Sequence, residues 1–254
     1  MLVTVSVIWL FGYHYALNIG ETVIPAGPAG LIIGTYPIFT LFLASIFVNE
    51  KLTVNKVVGA AIAFAGTAFL MIFGAMHEGA ELNIEPAKWI MFGLITFLAP
   101  ISAAVHTIIM KPYLTGENRD GVKFDPVHLT VLYMAPAGIL LIPIWMMNPL
   151  PSLSDLTAEF HISLWFLIIF CTLVAYIGWL WAVGKIGAGP ASMTTYIIPV
   201  ISIIYAKLLL DEPIGPGSII GAVGIISGVI VASIGGGKGN NKKAKRVRAK
   251  IKYG

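Results

Sequence analysis

The chain has 254 residues, of which 57% are hydrophobic and 11% are charged, and its mean hydropathy is +0.88. Soluble globular domains carry about 25% charged residues, so a single water-soluble core is excluded for this composition. The net charge of +4 arises in the tail, because eight of the sixteen basic residues lie between Lys238 and Lys252. The single Cys171 excludes an intramolecular disulfide and a cysteine-cluster metal site.

Crossing the hydrocarbon core as a helix takes about 20 mainly apolar residues, because unpaired backbone groups are costly there. The first apolar segment lacks a basic n-region, so we interpret it as a mature span and not as a cleaved signal peptide. The sequence predicts an all-α, polytopic membrane protein with about eight transmembrane helices. They cover residues 2–18, 25–48, 54–74, 87–110, 127–147, 162–184, 189–210 and 215–236.

The loop charges predict an orientation. Lysine and arginine in short loops favour the cytoplasm. If the basic tail is cytoplasmic, the loops on the same side hold Lys51, Lys56, Lys111, Arg119, Lys123 and Lys185. The loops on the other side hold one lysine, Lys88, and most of the acidic residues. We therefore expect a multi-pass protein of the cell membrane with both termini in the cytoplasm.

The sequence Ala26-Gly27-Pro28-Ala29 returns as Ala188-Gly189-Pro190-Ala191, at an offset of 162 residues. A long internal repeat decides architecture before local signals do. The two copies fall on the second and seventh predicted spans, so they cross the membrane in opposite directions. This predicts an inverted-topology repeat, which gives alternating access when the two halves exchange conformations. The same offset pairs Pro37 with Pro199, Glu50 with Glu212, Gly59 with Gly221 and Gly66 with Gly228.

Several of these residues resemble the EamA-type module of the drug/metabolite transporter superfamily. They are Tyr15-Ala16-Leu17, Ala26 to Ala29, Tyr36-Pro37, Glu50-Lys51-Leu52-Thr53 and Gly59 to Gly66, with a second copy from Gly178 to Gly228. The resemblance implies ten helices in two five-helix modules, a substrate cavity lined in part by the first helix, and a modest preference for homodimers. Here residues 1–76 would form a three-helix first module, residues 87–236 a five-helix second module, and residues 237–254 a basic, disordered cytoplasmic tail. The first module thus lacks two helices of the family pattern, through a late start or as an eight-helix variant.

Two mid-span prolines mark the first candidate site. Pro37 and Pro199 leave the carbonyls of Ile33 and Thr195 without helical partners, which predicts kinks. We expect the freed carbonyls and the neighbouring polar side chains to line a cavity at the midplane. The alternative is a packed kink that neighbouring side chains satisfy. The predicted substrate-binding residues here are Thr35, Tyr36, Thr194, Thr195 and Tyr196.

His14 and Asn18 lie one turn apart on the first span, and polar or ionisable groups inside a membrane are functional candidates. The alternative is a polar cluster at the interface of a short, tilted helix. Trp179, with Trp181 and Tyr176 nearby, could offer an aromatic face to a ligand, or could belong to an aromatic belt. We expect His106, five residues before Lys111, to lie at the cytoplasmic interface.

No aspartate or glutamate falls near the centre of any predicted span, so a carboxylate proton relay is not expected. If transport is coupled to protons, His14 is the candidate, because histidine titrates in the right range; exchange without a proton is equally open. The sequence has no metal-binding motif and no nucleophile paired with a base. It therefore predicts no enzyme, no metal and no cofactor.

Three further features have a structural explanation as well as a functional one. Glu50 and Glu212 each precede a predicted helix start, where a carboxylate interacts favourably with the helix dipole. Glycines recur along residues 54–74 and 215–236, and they predict close packing within the module or a homodimer through these helices. The basic tail is expected to contact anionic lipid of the bilayer and not nucleic acid.

Together these features predict a secondary transporter that moves a small metabolite, such as an amino acid or a related amphipathic compound, outward across the cell membrane by alternating access. The alternative is a non-transporting or partner-dependent membrane subunit.

Overall fold

The computed structural model describes residues 2–24, 26–75, 86–147, 156–210 and 216–234. Within these ranges the chain is helical and contains no β-strand, which confirms the all-α prediction. The helices are α1 (2–21), α2 (26–47), α3 (Val54–Ala75), α4 (Pro86–Thr115), α5 (Pro126–Met146), α6 (Ala158–Ile186), α7 (188–210) and α8 (Pro216–Ile234).

Four stretches are long and apolar enough to cross a membrane by length and composition: Ala29–Phe47, Ile90–Thr115, Pro126–Pro143 and Ala158–Ile186. Val54–Phe69 and Ile219–Ile234 are shorter apolar helices. These segments fit a membrane protein, whereas the number of crossings stays a prediction. The basic tail at 237–254 and Glu212 lie outside the described residues.

Four helices depart from α-helical geometry, in two pairs whose irregular segments overlap under the 162-residue offset. α1 is π-helical over Ile8–Tyr15, and α6 is π-helical over Leu167–Val174. α2 is interrupted by a turn at residues 34–35, and α7 by the 3₁₀ turn Thr194–Ile197. Pro37 and Pro199 lie two residues after the ends of these two interruptions, and a proline cannot donate a hydrogen bond to the preceding turn.

Buried side chains form two clusters. The first joins α1, α2, α4, α5, α6 and α7 around fully buried residues such as Tyr133, Met110 and Leu180. The second joins α2, α3, α7 and α8 around Ala63, Tyr196 and Ile225. α1 is held against its neighbours by small residues, since Gly12 faces Ser102 and Gly20 faces Thr96 on α4. The Ser6 hydroxyl also donates to the carbonyl of Tyr133 on α5, at 2.6 Å.

α3 and α8 pack against each other antiparallel through their glycines. A Cβ on Gly66 would lie 2.6 Å from the Ile225 nitrogen, and one on Gly228 would meet the Ala63 backbone. Such an approach needs glycine on both helices. The glycine surfaces named in the homodimer prediction therefore contact one another within a single chain. A homodimer stays a prediction, and it would have to use other faces of these helices.

Candidate functional site

The first candidate site lies where α1 meets α6. The π-helical segment of α1 carries Trp9, Tyr13 and His14, and His14 Nε2 lies 3.0 Å from the hydroxyl of Tyr176 on α6. The ring of His14 stands edge-on to those of Trp9 and Tyr13, with centroid distances of 4.4 and 4.8 Å. π-helical segments are frequent at functional sites, because they turn side chains away from the regular helical face.

The cluster continues towards α4 and α5. Trp9 contacts Tyr133 edge-on at a centroid distance of 5.5 Å, and Tyr133 contacts His106 at 4.8 Å. Both residues are buried, and neither His106 Nε2 nor the Tyr133 hydroxyl has a hydrogen-bond partner among the described residues. Packing of α4 against α1 and α5 thus buries His106 among aromatic rings, and its expected position at the cytoplasmic interface stays a prediction.

Tyr36 and Trp179 form a further ring pair, with centroids 6.0 Å apart, and Tyr36 lies close enough to Tyr13 and Tyr176 to interact with them electrostatically. The hydroxyl of Tyr36 lies 3.0 Å from the Thr107 hydroxyl, so it is tied to α4. We define the aromatic cluster as the side chains of Trp9, Tyr13, His14, Tyr36, His106, Tyr133, Tyr176 and Trp179.

Of the eight predicted substrate-binding residues, His14, Tyr36 and Trp179 belong to the aromatic cluster, and the other five lie outside it. Asn18 is exposed, and Tyr196 is buried in the second hydrophobic cluster. The hydroxyls of Thr35, Thr194 and Thr195 each donate to the carbonyl three residues earlier, which is a local role at the helix interruptions.

Sequence reasoning did not select Trp9 or Tyr133, and it named Tyr176 only as an aromatic residue near Trp179. One signal in the sequence pointed to Tyr176, because it follows His14 by the 162-residue offset of the repeat. No comparable signal existed for Trp9 and Tyr133, since their contact depends on how α1 and α5 pack. Aromatic residues on apolar helices are also common at lipid-facing positions.

The second candidate site lies at the end of the bundle that contains residues 47–51 and 183–190. The Glu50 carboxylate accepts hydrogen bonds from the backbone nitrogens of Ala188 and Gly189, at 2.6 and 3.1 Å. The Lys111 ammonium lies 3.1 Å from the same carboxylate and also donates to the Val48 carbonyl. Glu50 thus connects the first sequence copy to the second.

Gly187 makes this contact possible. Its φ of +96° falls in a region that favours glycine, and a Cβ there would lie 2.7 Å from the Glu50 carboxylate. Glu50 was expected beside a helix start, and it does lie at one. The helix is α7, however, and not α3, which follows Glu50 in sequence.

A cavity of about 650 Å³ opens beside Glu50. Its lining contains four lysines and two glutamates, and we call it the lysine cavity. Lys56 and Lys111 are buried, whereas Lys51 and Lys185 are exposed. The charged lining residues are Glu50, Lys51, Lys56, Lys111, Glu117 and Lys185.

Comparison with known proteins adds independent information. The profile of the EamA-like transporter family matches residues 1–72 and 88–234. A relative from Archaeoglobus fulgidus, named an uncharacterized transporter, is 31% identical over 223 residues, which are 86% of this chain and 72% of that protein. A probable amino-acid metabolite efflux pump of Escherichia coli is 25% identical over 221 residues, 87% of this chain and 70% of the pump.

A third relative, from Streptantibioticus cattleyicolor, is named a probable terminal-alkyne amino-acid exporter. It is 23% identical over 223 residues, 86% of this chain and 68% of the exporter. A solved crystal structure of another protein matches with a TM-score of 0.75 at 18% identity, over 92% of this chain and 76% of the other. At that identity the structural match shows the fold alone.

Proposed function

Because the chain belongs to the EamA-like transporter family, we propose that it is a secondary transporter that exports an amphipathic small metabolite, such as an amino acid. Two relatives are named a probable terminal-alkyne amino-acid exporter and a probable amino-acid metabolite efflux pump, which supports this substrate class. The observation that carries the proposal is the hydrogen-bonding contact between His14 and Tyr176 within the aromatic cluster.

The chemistry of the aromatic cluster suits a ligand with an apolar body and a few polar groups. Ring faces provide apolar contact and can attract a cationic amine. The His14 ring, the Tyr176 hydroxyl and the unsatisfied His106 and Tyr133 atoms provide hydrogen-bonding groups. His14 and Tyr176 come from different sequence copies, so a ligand that contacts both side chains would touch both halves of the transporter throughout alternating access.

Flux through the full chain in proteoliposomes tests the function. The vesicles are loaded with a labelled mixture of amino acids, and we expect saturable efflux of at least one of them. His14→Ala should reduce this efflux about tenfold, because a polar contact in the transition state is lost. The matched control is His128→Ala, which removes an exposed histidine at the start of α5. Absence of saturable flux would reject the function, and normal flux in His14→Ala would reject the site.

The same reconstituted protein can be used to test the orientation of the chain in the membrane. Glu50, Lys111 and Lys185 meet at one end of the bundle, as one shared side requires. We propose that this end faces the cytoplasm, together with both termini. A cysteine placed at the exposed Glu117, in a Cys171→Ala background, should react with an impermeant maleimide only in inside-out vesicles. Reaction only in right-side-out vesicles would reverse the orientation.

A partner-dependent subunit is the second candidate, and the exposure of α6 favours it. Residues 158–171 of α6 are exposed around the whole helix in the isolated chain. Lipid or a second protein can cover such a surface. Flux that appears only when a native membrane extract is co-reconstituted would favour the subunit over the autonomous transporter.

A further inference from the structure

The charges that line the lysine cavity do not balance. Four lysines face two glutamates, and for the two buried lysines, Lys56 and Lys111, the lining offers one largely buried carboxylate, that of Glu50. That carboxylate already accepts two backbone hydrogen bonds and contacts Lys111. Little of its acceptor capacity is left for a second ammonium.

Of the two buried lysines, Lys56 is the one without an ion pair to a carboxylate in the described part of the chain. Its ammonium donates to the Lys51 carbonyl at 3.0 Å, and the residue is only 8% exposed. A buried charge is costly unless it is paired and hydrogen-bonded. An anion that enters the cavity would supply the missing partner, and the exposed Lys51 and Lys185 would attract it from solution.

The volume of the cavity fits a ligand and not only a counter-ion. About 650 Å³ falls within the range of about 300–1,000 Å³ that is typical of small-molecule sites. The four lysines come from the α2–α3 loop, α3, α4 and α6, so they converge on the cavity from several elements. We propose that the lysine cavity is a second binding site, separate from the aromatic cluster, for an anionic group, a carboxylate or phosphate, that pairs with Lys56.

The first experiment uses inorganic phosphate and the full chain in nanodiscs of phosphatidylcholine. Ionic strength is held constant with sodium chloride, and binding is followed by the ³¹P line width; acetate is then tested as a competitor. We expect saturable broadening that acetate reverses. Lys56→Met should weaken phosphate binding about tenfold, because a charge-assisted contact is lost, whereas Lys56→Arg should retain it.

Two further variants keep the test decisive. Lys123→Met removes the same charge at an exposed position that does not line the cavity, and it should leave binding unchanged. Lys185→Met removes an exposed lining lysine without disturbing a buried contact, so it should weaken binding even if Lys56→Met fails to fold. Absence of saturable binding in every arm, or equal weakening by Lys123→Met, would overturn the proposal.

A parallel arm separates the two sources of the anion. Without added phosphate, nanodiscs that contain phosphatidylglycerol should raise the thermal unfolding midpoint of the wild type more than that of Lys56→Met if a lipid headgroup binds. If free phosphate and acetate bind but phosphatidylglycerol has no effect, the site is assigned to a soluble anion. Amino-acid efflux is measured in the same variants. Normal efflux without anion binding would overturn only the second site, and anion binding without efflux would overturn only the transport function.

Discussion

His14 and Tyr176 lie 162 residues apart in sequence and 3.0 Å apart in space, and 162 is also the offset between the two sequence copies. Equivalent positions of two copies meet only at the axis that relates the copies. The pair therefore lies where a pseudo-two-fold axis of an inverted repeat would pass, and for this reason we propose that a ligand held by both halves binds there.

Removing one hydroxyl from this pair should impair transport without unfolding the protein. Tyr176→Phe keeps the ring contact with Trp9 but leaves His14 Nε2 without its partner. We expect flux at low substrate concentration to fall about fivefold to tenfold, as for one lost hydrogen bond. Tyr205→Phe, at an exposed position of α7, is the control. Flux of Tyr176→Phe within error of the wild type would contradict a role for the pair.

A methyl group at Gly228 should destabilise the fold. The new Cβ would collide with the backbone of Ala63 on α3, which cannot move as a flexible side chain would. We expect Gly228→Ala to lose about 1–3 kcal/mol of unfolding free energy, as for other overpacked contacts. Gly93→Ala on α4 meets nothing within 4 Å and should be neutral or gain up to about 1 kcal/mol. Equal thermal unfolding midpoints for the two variants would contradict the proposed packing.

Neutralising Glu50 should leave a buried ammonium behind. Glu50→Gln can still accept one backbone hydrogen bond, but it cannot balance the charge of Lys111, whose side chain is only 10% exposed. We expect a loss of about 1–3 kcal/mol in unfolding free energy. The double variant Glu50→Gln with Lys111→Met should cost less than the sum of the single variants. Glu117→Gln, at an exposed lining residue, is the control, and strict additivity would argue against the pair.

The start of α5 should show a small dependence of stability on pH. The Val127 amide donates to the Asp125 carboxylate at 3.0 Å, and this bond, with help from His128, lowers the pKa of Asp125. A lowered pKa in the folded state means that the contribution is present at neutral pH and is lost as the pH falls through that pKa. The difference in thermal unfolding midpoint between wild type and Asp125→Ala should thus shrink at acidic pH. Asp120→Ala should show no such trend.

Hydrophobic patterning predicted the helices well but did not predict their contacts. The predicted span 54–74 is helix Val54–Ala75, because length and composition decide where an apolar segment becomes helical. The partner of Glu50 depended instead on which helix start lies nearby after folding, and that start is 138 residues away in sequence. Burial of His106 could not be predicted for the same reason, because its distance from Lys111 along the sequence says nothing about its neighbours across the bundle.

The repeat was the only long-range signal in the sequence, and it carried more information than the architecture for which it was first used. Applied to Pro37 and Pro199, it predicted breaks at equivalent places, and the helices are interrupted just before both. Applied to His14, it would have pointed to Tyr176. It could not have located Trp9 or Tyr133, because their positions follow from side-chain packing between unlike helices.

The antiparallel glycine contact between α3 and α8 is unchanged when each glycine is replaced by its counterpart in the other sequence copy. Gly59 faces Gly228, Gly66 faces Gly221, and exchanging the copies converts the first pair into the second. A contact of this kind keeps its geometry when the two halves exchange conformations. Its backbone-to-backbone approach also resists sliding, because a one-residue slip would drive larger side chains into the opposing helix. In the proposed cycle α3 and α8 would therefore act as a stationary pivot, while the helices around His14 and Glu50 rock about it.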